Sequence, residues 1–99
     1  MMNKLTLHIP ANHPTAAGHF PGDPIIPGAL LLAEVLRCIE QSEGKSFASC
    51  NVKAAKFLYP ARPGDMVDIE YARSARGTIE FKCAVAGTTV LSGGIVAGE

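Results

Sequence analysis

Charge is what this chain has least of. Acidic and basic residues make up only 18% of it, against about 25% in ordinary soluble domains. Nine of each sign leave a formal net charge of zero, and like charges form no run. This excludes the basic footprint that nucleic-acid binding leaves on a sequence. Long apolar runs are also missing. The longest, ALLLA at residues 29–33, is far short of the roughly 20 residues a membrane helix needs. The opening MMNKLTLHIP holds no apolar stretch of the secretory kind. Cysteine is scarce: Cys38, Cys50 and Cys83 are odd in number and lack metal-ligand spacing. They read as reduced, small hydrophobic residues of a cytoplasmic protein. No cofactor, membrane or nucleic-acid partner is expected.

What is there is apolar and small. At 99 residues the chain reads as one domain over residues 1–99, which buries only about 60–65% of its unfolded surface. Hydrophobic residues reach 47%. Low charge on so small a body points to apolar surface covered by a partner subunit, so a homodimer or dimer-based oligomer is expected.

The pattern along the chain is strand, loop, helix, then four strands. Residues 3–9 alternate, with Leu5, Leu7 and Ile9 on one side and Lys4, Thr6 and His8 on the other, as in a half-buried strand. Residues 10–27 hold five prolines and two glycines and read as a long loop, a feature usually tied to function. A helix is expected from Pro27-Gly28 to about Glu43, with Gly44 as its stop. It is apolar round most of its circumference, which predicts burial. Glu34, Arg37 and Gln41 leave one wet stripe. Residues 47–58 read as extended and ARPGDM (61–66) as a turn. Val67, Ile69 and Tyr71 alternate with polar neighbours, as do Ile79, Phe81, Cys83 and Val85. Arg76-Gly77 and Gly87 mark turns. The last strand, about 88–97, is weakened by Gly93-Gly94. The class is α+β, an antiparallel sheet of about five strands wrapped around one helix.

Two stretches carry a resemblance. GHFPGDPIIPG (18–28), followed by the apolar helix, resembles the signature of the β-hydroxyacyl-acyl-carrier-protein dehydratases. KAAKFLYPARPGDMVDIEY (53–71) resembles the strand-turn-strand segment of the same family. The resemblance implies the hotdog fold, subunits paired edge to edge, and active sites at the dimer interface. Against the family the chain reads as short, without the usual N-terminal extension. The resemblance makes His19 the catalytic histidine. Gly28 becomes the residue whose N–H meets the thioester carbonyl. Phe20, Ile25, Ile26 and Pro27 flank His19 and become the substrate-binding candidates. The family's acid lies fourteen residues after the histidine, where this chain has Ala33. Glu34, one step of about 100° round the helix, is the candidate replacement.

The implied chemistry suits these residue types. A histidine titrates near neutrality and can remove a proton beside a carbonyl. A carboxylic acid can protonate the departing hydroxyl. A helix N-terminus offers free N–H groups to developing negative charge. The implied partner is acyl carrier protein bearing a 3-hydroxyacyl chain, with Lys53, Lys56 and Arg62 as possible contacts for its acidic surface. Simpler readings stand beside these. His19 can be a loop histidine, Gly28 a plain helix start, and Glu34 a solvated partner of Arg37. Asp23 reads as a turn former, and His8 and His13 do not form a metal set. The alternative functions are a hotdog thioesterase and a non-catalytic acyl- or carrier-protein-binding subunit that has lost its acid.

Overall fold

The computed structural model describes residues 2–11, 25–44, 51–74 and 77–96. Within them lie β1 (Asn3–His8), α1 (Gly28–Glu43), β2 (Asn51–Phe57), β3 (Met66–Arg73), β4 (Thr78–Val85) and β5 (Thr88–Val96). The strands form one sheet in the order β1-β3-β4-β5-β2, every neighbouring pair antiparallel. With a single helix against one face, this is the hotdog layout.

Alternation builds the core. Val67, Ile69 and Tyr71 of β3 and Ile79, Phe81 and Cys83 of β4 are buried on the helix side. Their register aligns Ile69 with Cys83 and Tyr71 with Phe81. Leu91 and Ile95 of β5 continue that face. Leu31, Val35 and Ile39, spaced i, i+4, i+8, form the helix stripe set into it. On the outer face, residues in register form a row across four strands: Lys4, Glu70, Lys82, Ser92. Opposite charges on facing strands contribute about 0.2–1 kcal/mol per pair.

The turns follow their residues. Arg62-Pro63-Gly64-Asp65 carries Pro and Gly at the positions a type II turn favours, Gly64 having φ 92°. The Asp65 N–H donates to the Arg62 carbonyl at 3.1 Å, and the Arg62 N–H donates back to Asp65 Oδ2 at 2.8 Å. Gly44 ends α1 in the left-handed region at φ 69° and donates its N–H to the Glu40 carbonyl.

Some expectations shift. The extended segment expected from residue 47 is seen from Asn51, residues 45–50 lying outside the described ones. Arg76 of the expected turn also lies outside them. β5 runs unbroken through Gly93-Gly94. The helix is not buried all round: Ala29, Ala33, Arg37 and Gln41 form an exposed stripe. The wet stripe is therefore centred on Ala33 and not on Glu34. Glu34 is half-buried on the flank of α1 that also carries Leu30 and Cys38, because three residues on from Leu31 returns within about 60° of that core position.

The far end of the helix is pinned. Tyr71 is buried, and its hydroxyl donates to Glu43 Oε2 at 2.9 Å. With that proton used, the 2.8 Å contact to Ser42 has the Ser42 hydroxyl as donor. Arg73 closes the group with a 2.9 Å ion pair to Glu43. A carboxylate at a helix C-terminus opposes the helix dipole, and here two donors from β3 offset it.

Candidate functional site

The chain enters α1 through Ile25-Ile26-Pro27. The Ile26 N–H donates to the Ala61 carbonyl at 2.7 Å, joining the helix entry to the segment after β2. Pro27 has φ −55° and ψ 139°, so it is extended and cannot itself be helical. The N–H groups of Leu30 and Leu31 both donate to the Pro27 carbonyl at 3.0 Å. The two N–H groups before them, on Gly28 and Ala29, have no acceptor within the helix. No side chain caps this end, and its first turn carries no acid.

Gly28 has a steric reason to be glycine. A Cβ there would lie 2.9 Å from Cδ1 and Cε1 of Phe57. The Phe57 ring sits over the helix start because residue 28 has no side chain. Between the two segments lies a cavity of about 250 Å³. Ile26, Leu31 and Ala61, all buried, take part in its lining, as do the exposed Phe57 and Tyr59. Among the described residues, no charged one lines it.

Ile25, Ile26, Pro27 and Gly28 are thus brought together around one apolar cavity at one helix end. His19 and Phe20, with His13 and Asp23, lie outside the described residues. Glu34 does not line the cavity, and Ala33 faces outward on the exposed stripe. Lys53, Lys56 and Arg62 are exposed. A larger hollow of about 600 Å³ lies mainly over the outer face of the sheet, among Lys53, Ala54, Glu70, Ala72 and Gly94. It is rimmed by charge and lies across the sheet from α1, so size does not make it the better candidate.

Two lining residues, Phe57 and Tyr59, are not among the site candidates read from the sequence; they are 50% and 62% exposed. The signal was present in Phe57-Leu58-Tyr59. A strand side chain points to alternate faces, so three large apolar residues in succession cannot all be covered by one helix.

The two described thiols, Cys38 and Cys83, are not activated as nucleophiles. Burial, reinforced by the nearby Cys38, pushes the Cys83 thiol up to about 12, and burial also raises Cys38. Both stay protonated at neutral pH. Among the described residues, no group of three or more His, Cys, Asp or Glu side chains could hold a metal ion. No helix among them is long and apolar enough to cross a membrane.

Comparison with known proteins gives a consistent picture. The family model for ApeI-like dehydratases matches residues 2–94. The 3-hydroxyacyl-[acyl-carrier-protein] dehydratase FabZ of Blochmanniella pennsylvanica is 33% identical over 82 residues, covering 72% of this chain and 54% of that protein. FabZ of Haemophilus influenzae is 31% identical over 88 residues, covering 79% and 60%. The chain therefore spans about half to six-tenths of the length of these relatives. Among solved structures, the dehydratase heterocomplex ApeI:P from Xenorhabdus doucetiae superposes with a TM-score of 0.76 at 21% identity, over 96% of this chain and 85% of that one. An uncharacterized protein from Erwinia carotovora gives 0.76 at 25% identity, over 95% and 80%.

Proposed function

Because the chain belongs to the ApeI-like dehydratase family, we propose that it dehydrates 3-hydroxyacyl thioesters on acyl carrier protein to the trans-2-enoyl products. The observation that carries this reading is the cavity at the start of α1, whose described lining is uncharged, with Gly28 at its edge. It suits an apolar chain joined to a carbonyl that accepts a hydrogen bond.

In this reaction His19 removes the proton from the carbon beside the thioester carbonyl. The Gly28 N–H, one of the two without an acceptor in the helix, stabilises the enolate oxygen that forms. A carboxylic acid then protonates the hydroxyl at the third carbon. The C–O bond breaks, water leaves, and the double bond remains. The acid is Glu34, reached from a partner subunit, as is usual where two chains share a site. Lys53, Lys56 and Arg62 supply a basic surface for the acidic carrier.

A second reading is favoured by one observation: Ala33, on the exposed stripe of α1, stands where the resemblance implies the acid. In that reading the chain is the acid-deficient subunit of an assembly with a related chain. A thioesterase ranks lower, since the GHFPG loop (18–22) resembles dehydratases more than thioesterases.

The experiment incubates the full chain with 3-hydroxyacyl carrier protein and follows the enoyl product by mass spectrometry. Wild-type turnover should fall by about 10²–10⁴-fold in His19→Ala, the usual worth of a general base. Glu34→Gln should fall comparably. Wild-type activity no higher than that of His19→Ala sinks the dehydratase reading. Activity that appears only in Ala33→Glu, with Glu34→Gln silent, establishes the acid-deficient subunit instead. Release of free thiol in place of enoyl product would make the chain a thioesterase.

A further inference from the structure

We propose that Phe57 sets the length of acyl chain the cavity accepts, holding it to short chains. The inference rests on the thioester reading above. The cavity wall has a part inside the core and a part outside it. Ile26, Leu31 and Ala61 are members of the buried core, so they cannot yield without loss of packing. Phe57 is not among the core members and is half exposed in the single chain, so it can be exchanged without emptying the core. Of the aromatic side chains lining the cavity, Phe57 is the one over Gly28, and a Cβ at residue 28 would fall 2.9 Å from its ring.

The register shows where the ring stands. Phe57 is opposite Leu91 of β5, whose side chain is fully buried on the helix-facing side of the sheet. The ring therefore stands on the helix-facing side of β2, where it forms the wall of the cavity over the helix start. With the ring in place the space is about 250 Å³, below the 300–1,000 Å³ common for ligand sites. Every described side chain that lines this space is uncharged, so length and not polarity is what this part of the wall discriminates. Truncating Phe57 removes that wall without adding a charged group to the lining.

The test measures binding, so it does not depend on turnover. S-alkyl pantetheine thioethers with four-, eight- and twelve-carbon chains are titrated calorimetrically into the full chain and its Phe57→Leu, Phe57→Ala and Phe57→Trp variants. Wild type should favour the four-carbon chain. Phe57→Ala should raise the twelve-to-four affinity ratio by about tenfold or more, reflecting several newly buried methylenes. Phe57→Leu should fall between, and Phe57→Trp should lower the ratio. Melting temperature is read in parallel, since a merely structural role would lower stability and leave the ratio in place. If Phe57→Ala does not fold, Gly28→Ala carries the test. Its Cβ displaces the ring, so it should shift the ratio with Phe57 present and do so less in the Phe57→Leu background.

A ratio that stays the same within error in the folded variants overturns the proposal. So does a wild-type chain that binds none of the thioethers, or that binds twelve carbons as well as Phe57→Ala does. A shifted ratio in a protein without turnover keeps the proposal and removes the dehydratase reading. Turnover with an unmoved ratio does the reverse.

Discussion

Gly93 and Gly94 are adjacent in sequence and opposite in consequence. A Cβ at residue 93 would fall on the carbonyl oxygen of Ala54 and within 3.1 Å of Phe81 Cζ. The reason is local: β2 shifts register between Val52 and Ala54, and its backbone crowds against β5 there. At residue 94 the nearest atoms to a Cβ would be the Ile79 carbonyl oxygen at 3.5 Å and Glu80 Cγ at 3.7 Å, ordinary contacts. Gly93→Ala should therefore cost about 1–3 kcal/mol, the range for overpacking. Gly94→Ala should stay within about 0.5 kcal/mol of wild type. Urea unfolding of both variants checks this, and equal midpoints would mean that β2 does not press on residue 93.

The element most open to improvement is the β4–β5 hairpin. Val85 pairs with Thr88, leaving a two-residue loop of Ala86 at φ 50° and Gly87 at φ 84°. Two positive φ values in such a loop mark a type I′ turn, whose preferred pair is Asn-Gly. Alanine in the left-handed region carries a steric cost that asparagine largely escapes. Ala86→Asn should stabilise the domain by about 1 kcal/mol, or about 4–8 °C in melting temperature for a chain of this size. Ala86→Val should shift it the other way. A melt that does not distinguish the two would show that the turn is not held as described. The elements themselves were legible in the sequence because alternation and breakers are local signals: Val67, Ile69 and Tyr71 for β3, and Pro27-Gly28 and Gly44 for the bounds of α1. Glu34 was harder. Its spacing to Arg37 and Gln41 fits a wet stripe, but which angle of a helix meets the sheet is decided by packing of Leu31, Val35 and Ile39. Phe57 was missed because period tells which face a residue takes and not whether its strand ends up at an edge. That depends on β2 pairing with β5, a contact between segments far apart in the chain.

Edges are also where the molecule as a whole is unfinished. Among the described residues the sheet ends in β1 on one side and β2 on the other, and the two edges differ. β1 exposes Lys4, Thr6 and His8 and no large apolar side chain of its own. β2 also exposes lysines, Lys53 and Lys56, but adds Val52 at 47% and Phe57 at 50%, with Leu58 just beyond it at 49%. The exposed stripe of α1 begins with two alanines, Ala29 and Ala33, small enough for close approach by another subunit. Together these features favour β2 as the edge for the subunit pairing that the proposed shared site requires. Sedimentation equilibrium should then give twice the chain mass of 10.4 kDa. Val52→Lys, which places a charge on that edge, should move the mass toward one chain. Thr6→Lys on β1 should leave it unchanged. Far-ultraviolet circular dichroism confirms that each variant is folded. Dissociation by Thr6→Lys and not by Val52→Lys would move the interface to β1, and a wild-type mass of one chain at tens of micromolar would remove the homodimer. If Val52→Lys does dissociate the pair, dehydration should fall with the dimer fraction, because the histidine of one subunit then loses the helix of the other.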